Sequence, residues 1–347
     1  MKNTWIFTSL IGLLLLLAAC GTTGENTSSA GDAQDTVTIV TSIYPLEDFT
    51  KKIGGEHVQA TTLIPPGADS HTYEPTSKEI LEIAKADAFI YNGLGMETYA
   101  EKISETLKDE AVVMVEAAHG IEAIAHEHEY EGEETHEHSE EEAHDHEHDE
   151  EEHDHEHEED ATHEEEHDDG HNHGDQDPHV WIDPYQAIVL AENIKNTLVE
   201  LKPEASDTFE ENFETLKQDL LELDETFHQL VDSKENPEMI VSHAGYGYWE
   251  KSYGIKSIPI AGLSSSQEPS QSDLTKLIQI AKEKELKYVI FEQNVTPKVA
   301  KVIQDEIGAE ALYLHNLSTL TEEDIANGED YFSLMERNIE TLDKALR

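Results

Sequence analysis

The sequence predicts an α/β protein of two lobes, each a mostly parallel sheet covered by helices, joined by one long helix. Three observations carry this prediction. Short apolar runs alternate with helical patterns over 37–115, and a second alternation runs from 239 to the C-terminus. Between them, apolar residues recur at helical spacing for nearly thirty residues. Such alternation of strands and helices is typical of parallel sheets covered by helices.

The first alternation contains four predicted strands, at 37–41, 58–64, 88–91 and 112–115. Each is a short apolar run with turn residues nearby. The pattern predicts a helix over 46–53 that ends at Gly54 and Gly55, and a second helix that begins with Ser77 as its cap and runs to 86.

Asp183 and Pro184 predict the start of a helix that Pro203 stops, and 204–231 predicts a helix of roughly 40 Å at 1.5 Å per residue. Strands are predicted at 239–241, 257–260, 288–291 and 311–314, with helices between them and a last one near the C-terminus. The predicted organisation is a signal peptide (1–19), a tether (20–35), a first lobe (36–202) interrupted by a disordered loop (126–177), a linking helix (203–233) and a second lobe (234–347). A ligand is expected in the crevice at the strand C-termini.

The N-terminus predicts export and lipid anchoring. Lys2 precedes an apolar stretch that ends in small residues beside Cys20, and this stretch is too short to span a bilayer stably. The segment resembles a bacterial lipobox, whose cysteine carries a diacylglyceryl group, so we expect Cys20 to be lipidated on the extracytoplasmic face of the membrane. The alternative is an ordinary signal peptide with an incidental cysteine. Cys20 is the only cysteine, so disulfides and thiolate ligands are excluded from the mature chain.

A histidine-rich acidic segment over 126–177 dominates the composition. It holds 14 of the 21 histidines and 27 acidic residues, with no lysine or arginine. Imidazole and carboxylate together favour a divalent ion, with Zn²⁺ the leading candidate, and we predict that the segment captures metal at many weak sites. The alternative is a solvated acidic linker. The formal net charge of −55 argues against a nucleic-acid partner.

Three of the remaining seven histidines follow predicted strands in unusual surroundings. His71 lies in PPGADSHTYEP (65–75), His179 in DPHVWIDP (177–184), and His243 in VSHAGYGY (241–248). A single histidine of this kind more often satisfies a backbone group at a buried turn. Three of them in such motifs favour metal ligation.

These motifs resemble the cluster A-I family, the solute receptors of zinc and manganese ABC importers, from about 36 to the C-terminus. The resemblance implies one metal between two α/β lobes joined by a long helix, with His71, His179 and His243 as ligands. It also implies an ABC permease and its ATPase as partners, and we expect a monomer.

The segment FEQNVTP (291–297) resembles the family's fourth ligand segment. Manganese-type relatives usually have Glu at the place of His243 and Asp at a later place where this chain has Thr296. Three neutral imidazoles with one carboxylate or water suit four-coordinate Zn²⁺, whereas manganese prefers more oxygen. Glu292 is the candidate fourth ligand. The alternative is that it caps the next helix or pairs with a cation, in which case water fills the position.

We expect ordinary structural roles for His57, His119 and His228, whereas His315 could support the site. We expect Trp181 and Asp183 to pack and orient the His179 turn. The leading hypothesis is a zinc receptor that is not an enzyme, since no predicted helix carries the His-Glu-x-x-His pair of a zinc hydrolase; the one match, at 163–167, lies in the segment predicted to be disordered. The alternatives are a manganese or iron receptor of the same fold and a zinc-buffering, adhesin-like surface lipoprotein.

Overall fold

The computed structural model describes residues 36–125, 176–264, 266–294 and 298–346. The predictions for the signal peptide, for Cys20, for the tether up to 35, for the segment 126–175 and for Thr296 lie outside these ranges. Within them, no helix combines the length and the apolar character needed to cross a membrane.

The first lobe is a four-stranded parallel sheet in the order β2-β1-β3-β4. Its strands occupy the predicted positions to within one or two residues. They are β1 Val37–Thr41, β2 Val58–Thr62, β3 Ala88–Tyr91 and β4 Val113–Glu116, and the helices are α1 Tyr44–Gly54, α2 Ser77–Ile83 and α3 Ala100–Thr106. The predicted cap of α2 is wrong by one residue. Thr76 is the N-cap, because its hydroxyl accepts from the backbone N–H of Glu79 while the Glu79 carboxylate accepts from that of Thr76.

A short antiparallel pair closes this lobe beside the acidic segment. It consists of β5 Ile124–Ala125 and β6 Gln176–Asp177, with Ile124 opposite Asp177. The prediction that the disordered loop extends to 177 is therefore wrong at its C-terminal end. Asp177 is buried, and this pair places it immediately before the His179 turn.

Two consecutive helices connect the lobes: α4 Pro184–Leu201 and α5 Ser206–Asp232. The side chain of Asp183 caps α4 by accepting from the backbone N–H of Gln186 at 3.0 Å. The 27 residues of α5 span roughly 40 Å. Its buried residues recur every three or four positions along one face, which packs mainly against α4 and α1, with Phe227 against α6; they are Phe209, Phe213, Leu216, Leu220, Leu223, Phe227 and Val231. The helix starts two residues later than predicted, because Pro203–Ala205 forms a separate 3-10 turn.

The second lobe is another four-stranded parallel sheet, in the order β10-β9-β7-β8. Its strands are β7 Glu238–His243, β8 Lys256–Ala261, β9 Tyr288–Glu292 and β10 Glu310–Leu314. Its helices are α6 Gly247–Tyr253, α7 Gln271–Glu283, α8 Lys298–Ile307, α9 Glu322–Asn327 and α10 Tyr331–Ala345. The predicted α/β class with two parallel sheets is therefore confirmed.

The topology brings strand ends from both lobes toward one crevice. His243 is the last residue of β7 and Glu292 the last of β9, while the loop after β2 carries His71. One hydrophobic cluster runs continuously from the first sheet through α4 and α5 to β7 and α10. This shared core therefore supports the elements on both sides of the crevice.

Candidate metal centre

The structure brings His71, His179 and His243 together. One ring nitrogen from each of them lies within 4.8 Å of the other two. Nε2 of His179 is 3.0 Å from Nε2 of His71 and 3.4 Å from Nε2 of His243. Two nitrogens bound tetrahedrally to one Zn²⁺ at 2.0–2.1 Å would be about 3.3 Å apart. The spacing of the cluster therefore suits a single small cation.

Each histidine comes from a different kind of segment. His71 lies on the loop after β2, where Asp69 Oδ1 accepts its backbone N–H at 2.9 Å. His179 lies on the turn after β6, and His243 ends a strand whose six residues are all buried. His179 and His243 are 3% and 2% exposed, whereas His71 is half-buried, so the cluster opens to solvent on the His71 side.

The loop that carries His71 is also bonded to the second lobe. The Ala68 carbonyl accepts from Asn294 Nδ2 at 3.1 Å and from the Thr319 hydroxyl at 3.3 Å. The Gly67 N–H donates to the Leu320 carbonyl at 2.9 Å. These three hydrogen bonds hold the loop of His71 against the lobe that carries His243.

Asp177 orients His179. Its Oδ1 accepts the backbone N–H of His179 at 2.9 Å and lies 2.8 Å from Nδ1. A proton held on Nδ1 leaves the Nε2 lone pair free to face the cluster, which is how carboxylates commonly support histidine ligands. Trp181 packs against His179 with ring centroids 5.3 Å apart, as expected. The Asp183 carboxylate accepts hydrogen bonds from the Gln186 N–H and from the Ser252 hydroxyl.

Glu292 contacts the Nδ1 atom of His243. Its Oε1 lies 2.8 Å from Nδ1 of His243 but off the direction of the ring N–H, so Nδ1 has no hydrogen-bond partner among the described residues. Oε1 also accepts from the Tyr246 hydroxyl at 3.3 Å, and Oε2 accepts from Asn316 Nδ2 at 2.8 Å. Glu292 therefore borders the cluster through His243, and its role as a fourth ligand stays a prediction.

The electrostatics of the cluster differ between its two walls. Burial lowers the pKa of His71 well below 6.5, and the neighbouring imidazoles His179 and His243 lower it further. Burial also acts to lower the pKa of His243, but Glu292 outweighs it and the net pKa is raised. Burial acts to raise the pKa of Glu292, but His243 outweighs it and lowers that pKa to about 2. His71 is thus kept neutral, as a ligand must be, while His243 is paired with an ionised carboxylate.

Two glycines leave room for the cluster. A Cβ on Gly245 would lie 2.7 Å from Nε2 of His243 and 3.5 Å from Cδ2 of His179. A Cβ on Gly247 would lie 2.5 Å from Oδ2 of Asp177. Neither glycine has a positive φ, so close approach, and not backbone conformation, is what requires them.

Three residues that contact or border the cluster were not predicted from the sequence: Asp177, Asn316 and Gly245. Asp177 could not be distinguished because it closes a run of 27 acidic residues. The proposed supporting role of His315 is not seen. Its Nε2 lies 3.1 Å from Asp324 and its Nδ1 accepts from the Leu317 N–H, so both of its ring nitrogens are engaged away from the cluster.

The other three histidines occupy structural positions. His57 stacks edge-on against Phe209 with ring centroids 5.9 Å apart. The His119 carbonyl accepts from Asn193 Nδ2, and His228 lies on the exposed face of α5 near Asp224.

The sequence is similar to those of proteins that bind or take up zinc. Residues 39–345 match the family described as ZnuA, zinc-uptake complex component A, periplasmic. The chain is 35% identical over 335 residues to the high-affinity zinc uptake system protein ZnuA of Bacillus subtilis, covering 96% of this chain and 94% of that one. It is 34% identical over 314 residues to the zinc-binding protein AdcA of Streptococcus pyogenes, covering 89% of this chain but only 56% of that relative.

The fold agrees with a solved structure of the same group. The Zn(II)-bound ZnuA-like domain of Streptococcus pneumoniae AdcA superposes with a TM-score of 0.68 at 29% identity. The match covers 90% of this chain and 99% of that domain.

Proposed function

Because this chain belongs to the ZnuA family of zinc-uptake complex components, we propose that it captures Zn²⁺ between its two lobes and delivers it to an ABC permease for high-affinity uptake. The observation that carries the proposal is the cluster of His71, His179 and His243. Two of its imidazoles are almost fully buried, and one is oriented by a buried carboxylate.

The donor set favours zinc over manganese. Three imidazole nitrogens make a nitrogen-rich site that suits four-coordinate Zn²⁺, and Glu292 is the proposed fourth ligand because it borders His243. Manganese and iron receptors would be expected to offer more carboxylate oxygen. Burial lowers the pKa of His71 and keeps its imidazole neutral, so this residue needs no proton release before it binds a metal.

The remaining parts of the proposal concern location and partners. We propose that Cys20 carries lipid and holds the protein on the extracytoplasmic face of the cell membrane, where a monomer meets a permease driven by a separate ATPase. The relative from Streptococcus pneumoniae named zinc-binding lipoprotein AdcA, 32% identical over 329 residues, supports this part. The histidine-rich segment would collect zinc near the cleft, and the chain acts as a receptor and not as an enzyme.

Competition titration tests the choice of metal. Zn²⁺ should bind one tight site far more strongly than Mn²⁺, and His243→Ala should abolish that site. His228→Ala is the matched control, because His228 is an exposed histidine on α5 outside the cluster. Tighter binding of Mn²⁺, or unchanged zinc binding by His243→Ala, would overturn the proposal.

Deletion of 127–175 separates the two kinds of site. The shortened chain should keep the tight site but bind fewer zinc ions in total, and an unchanged stoichiometry would refute metal capture by the segment.

Delivery is tested by growth in chelated medium. Cells that lack the protein should grow poorly and recover with added zinc, and a growth defect that added zinc does not relieve would contradict a role in uptake.

A further inference from the structure

The two oxygens of the Glu292 carboxylate have different surroundings. Oε1 faces His243, 2.8 Å from its Nδ1, and also accepts from the Tyr246 hydroxyl. Oε2 accepts a hydrogen bond of 2.8 Å from Nδ2 of Asn316, a residue in the loop after β10. Glu292 itself is only 3% exposed, so these protein groups and not bulk water set how it is presented.

The orientation of the Asn316 amide follows from backbone donors. The Ser318 N–H can only donate, and it lies 3.1 Å from Oδ1 of Asn316, so that atom must be the oxygen. In the same way, the Asn316 N–H donates to Oε1 of Gln293, which leaves the Gln293 amide nitrogen to donate to Asn316 Oδ1 at 2.8 Å. The NH₂ group of Asn316 must therefore face Glu292.

The backbone of Asn316 is held from the opposite wall. Its carbonyl accepts the indole N–H of Trp181 at 2.8 Å, and Trp181 lies two residues after His179. The loop that restrains Glu292 is thus tied to the turn that carries a ligand. This arrangement gives the carboxylate little freedom to rotate.

We propose that Asn316 is a positioning residue that determines metal specificity. By holding Oε2, its amide leaves the Glu292 carboxylate only Oε1 to offer to a cation beside His243. Three nitrogens and one oxygen complete the four-coordinate set that zinc favours, whereas a second carboxylate oxygen would raise the coordination number toward that preferred by manganese. The inference rests on the proposed function, in which Glu292 is the fourth ligand.

Two variants of the full chain test the proposal by the ratio of zinc to manganese affinity. Asn316→Asp keeps the acceptor Oδ1 and replaces the donor with a carboxylate oxygen, and Asn316→Ala removes the donor without adding charge. Loss of a group that supports a metal ligand typically lowers metal affinity about 10–100-fold. Because manganese tolerates a second carboxylate oxygen and zinc does not favour it, the loss should fall mainly on zinc, and the ratio should fall at least about tenfold in both variants. Ser318→Ala is the matched control, because it removes a hydroxyl donor to Oδ1 and leaves the Glu292 contact. Its ratio should be unchanged.

A spectroscopic readout separates positioning from general destabilisation. Visible absorption of bound Co²⁺ is stronger for four-coordinate than for higher-coordinate ions, so it should weaken in both Asn316 variants. An unchanged ratio and an unchanged Co²⁺ spectrum in either folded variant would overturn the inference.

Glu292→Gln distinguishes the two proposals. Loss of zinc affinity in Glu292→Gln with no effect at Asn316 refutes only the role of Asn316. Unchanged affinity in Glu292→Gln refutes the fourth ligand itself.

Discussion

Gly245→Ala should weaken zinc binding at least about 100-fold without replacing any of the three clustered histidines. The added methyl carbon would lie 2.7 Å from Nε2 of His243 and 2.8 Å from its Cε1, on the side of the ring that faces the cluster. Gly245 lies two residues after that histidine, with a φ that alanine can adopt. The backbone conformation at this position therefore does not oppose the substitution.

The size of the effect follows from the distances. Ordinary contact begins at about 3.4 Å, so the imidazole must retreat by at least 0.7 Å. Ligand distances in metal sites are held within about 0.2 Å of their preferred values, so the displaced nitrogen falls well outside bonding range. Loss of a supporting residue typically costs about 10–100-fold in affinity. Because a proposed ligand itself is displaced here, we expect at least about 100-fold, or ~2.7 kcal/mol.

Isothermal titration with Zn²⁺ measures this change, alongside thermal melting of the metal-free protein, since overpacking alone costs about 1–3 kcal/mol of stability. Gly262→Ala is the matched control. It is also free of positive φ, and its added methyl meets the flexible, exposed side chain of Gln267. Zinc affinity of Gly245→Ala within about threefold of the control would refute the assignment of the site to this cluster.

Three further predictions concern the support of the site and of the long helix. Asp177→Ala removes the acceptor of both His179 hydrogen bonds and should lower zinc affinity about 10–100-fold by calorimetry; equal affinity would contradict its orienting role. In the metal-free protein, the pKa of His243 is raised above 6.5, so its protonation stabilises the folded state below pH 6.5, and this contribution is lost as the pH rises through the folded pKa. The pKa of Glu292 is lowered from 4.5 to about 2, so its ionisation stabilises the folded state above pH 4.5, and this contribution is lost as the pH falls toward 2. Glu292→Gln should therefore lower the melting temperature most between pH 4.5 and 6.5, and a loss equal at all pH values would count against the ion pair. Phe227→Ala empties a fully buried position of α5 against two aromatic rings of α6 and should lower the free energy of unfolding by about 3–5 kcal/mol; a loss below 1 kcal/mol in denaturant titration would show that the helix is not anchored there.

Most of the fold could be predicted because its signals are local. The strands of both sheets are apolar runs, and the buried face of α5 repeats at helical spacing. Errors arose where neighbouring side chains decide a boundary, as at Thr76, whose capping bonds depend on Glu79. The strand at 176–177 was missed because pairing with Ile124 orders it, and its own acidic composition gives no sign of this.

The residues of the candidate site also differ in whether they could be predicted from the sequence. His71, His179 and His243 could be found because each lies in a distinctive sequence motif. Asp177 and Asn316 could not, since their roles depend on atoms that approach only in the folded chain. Asn316 is 24 residues from Glu292 and 135 from Trp181, and no spacing in the sequence indicates either contact.

The hydrogen bonds at Gly67 and Ala68 have a kinetic consequence. They join the loop of His71, the most exposed histidine of the cluster, to the opposite lobe, so the lobes cannot separate unless these bonds break or the loop is pulled along. Each is worth about 0.5–1.5 kcal/mol, and they resist opening together. Under the proposed function, the rate at which the ion escapes therefore depends partly on backbone contacts three and four residues away from His71. Residence time and affinity can accordingly be tuned by different residues of the same loop.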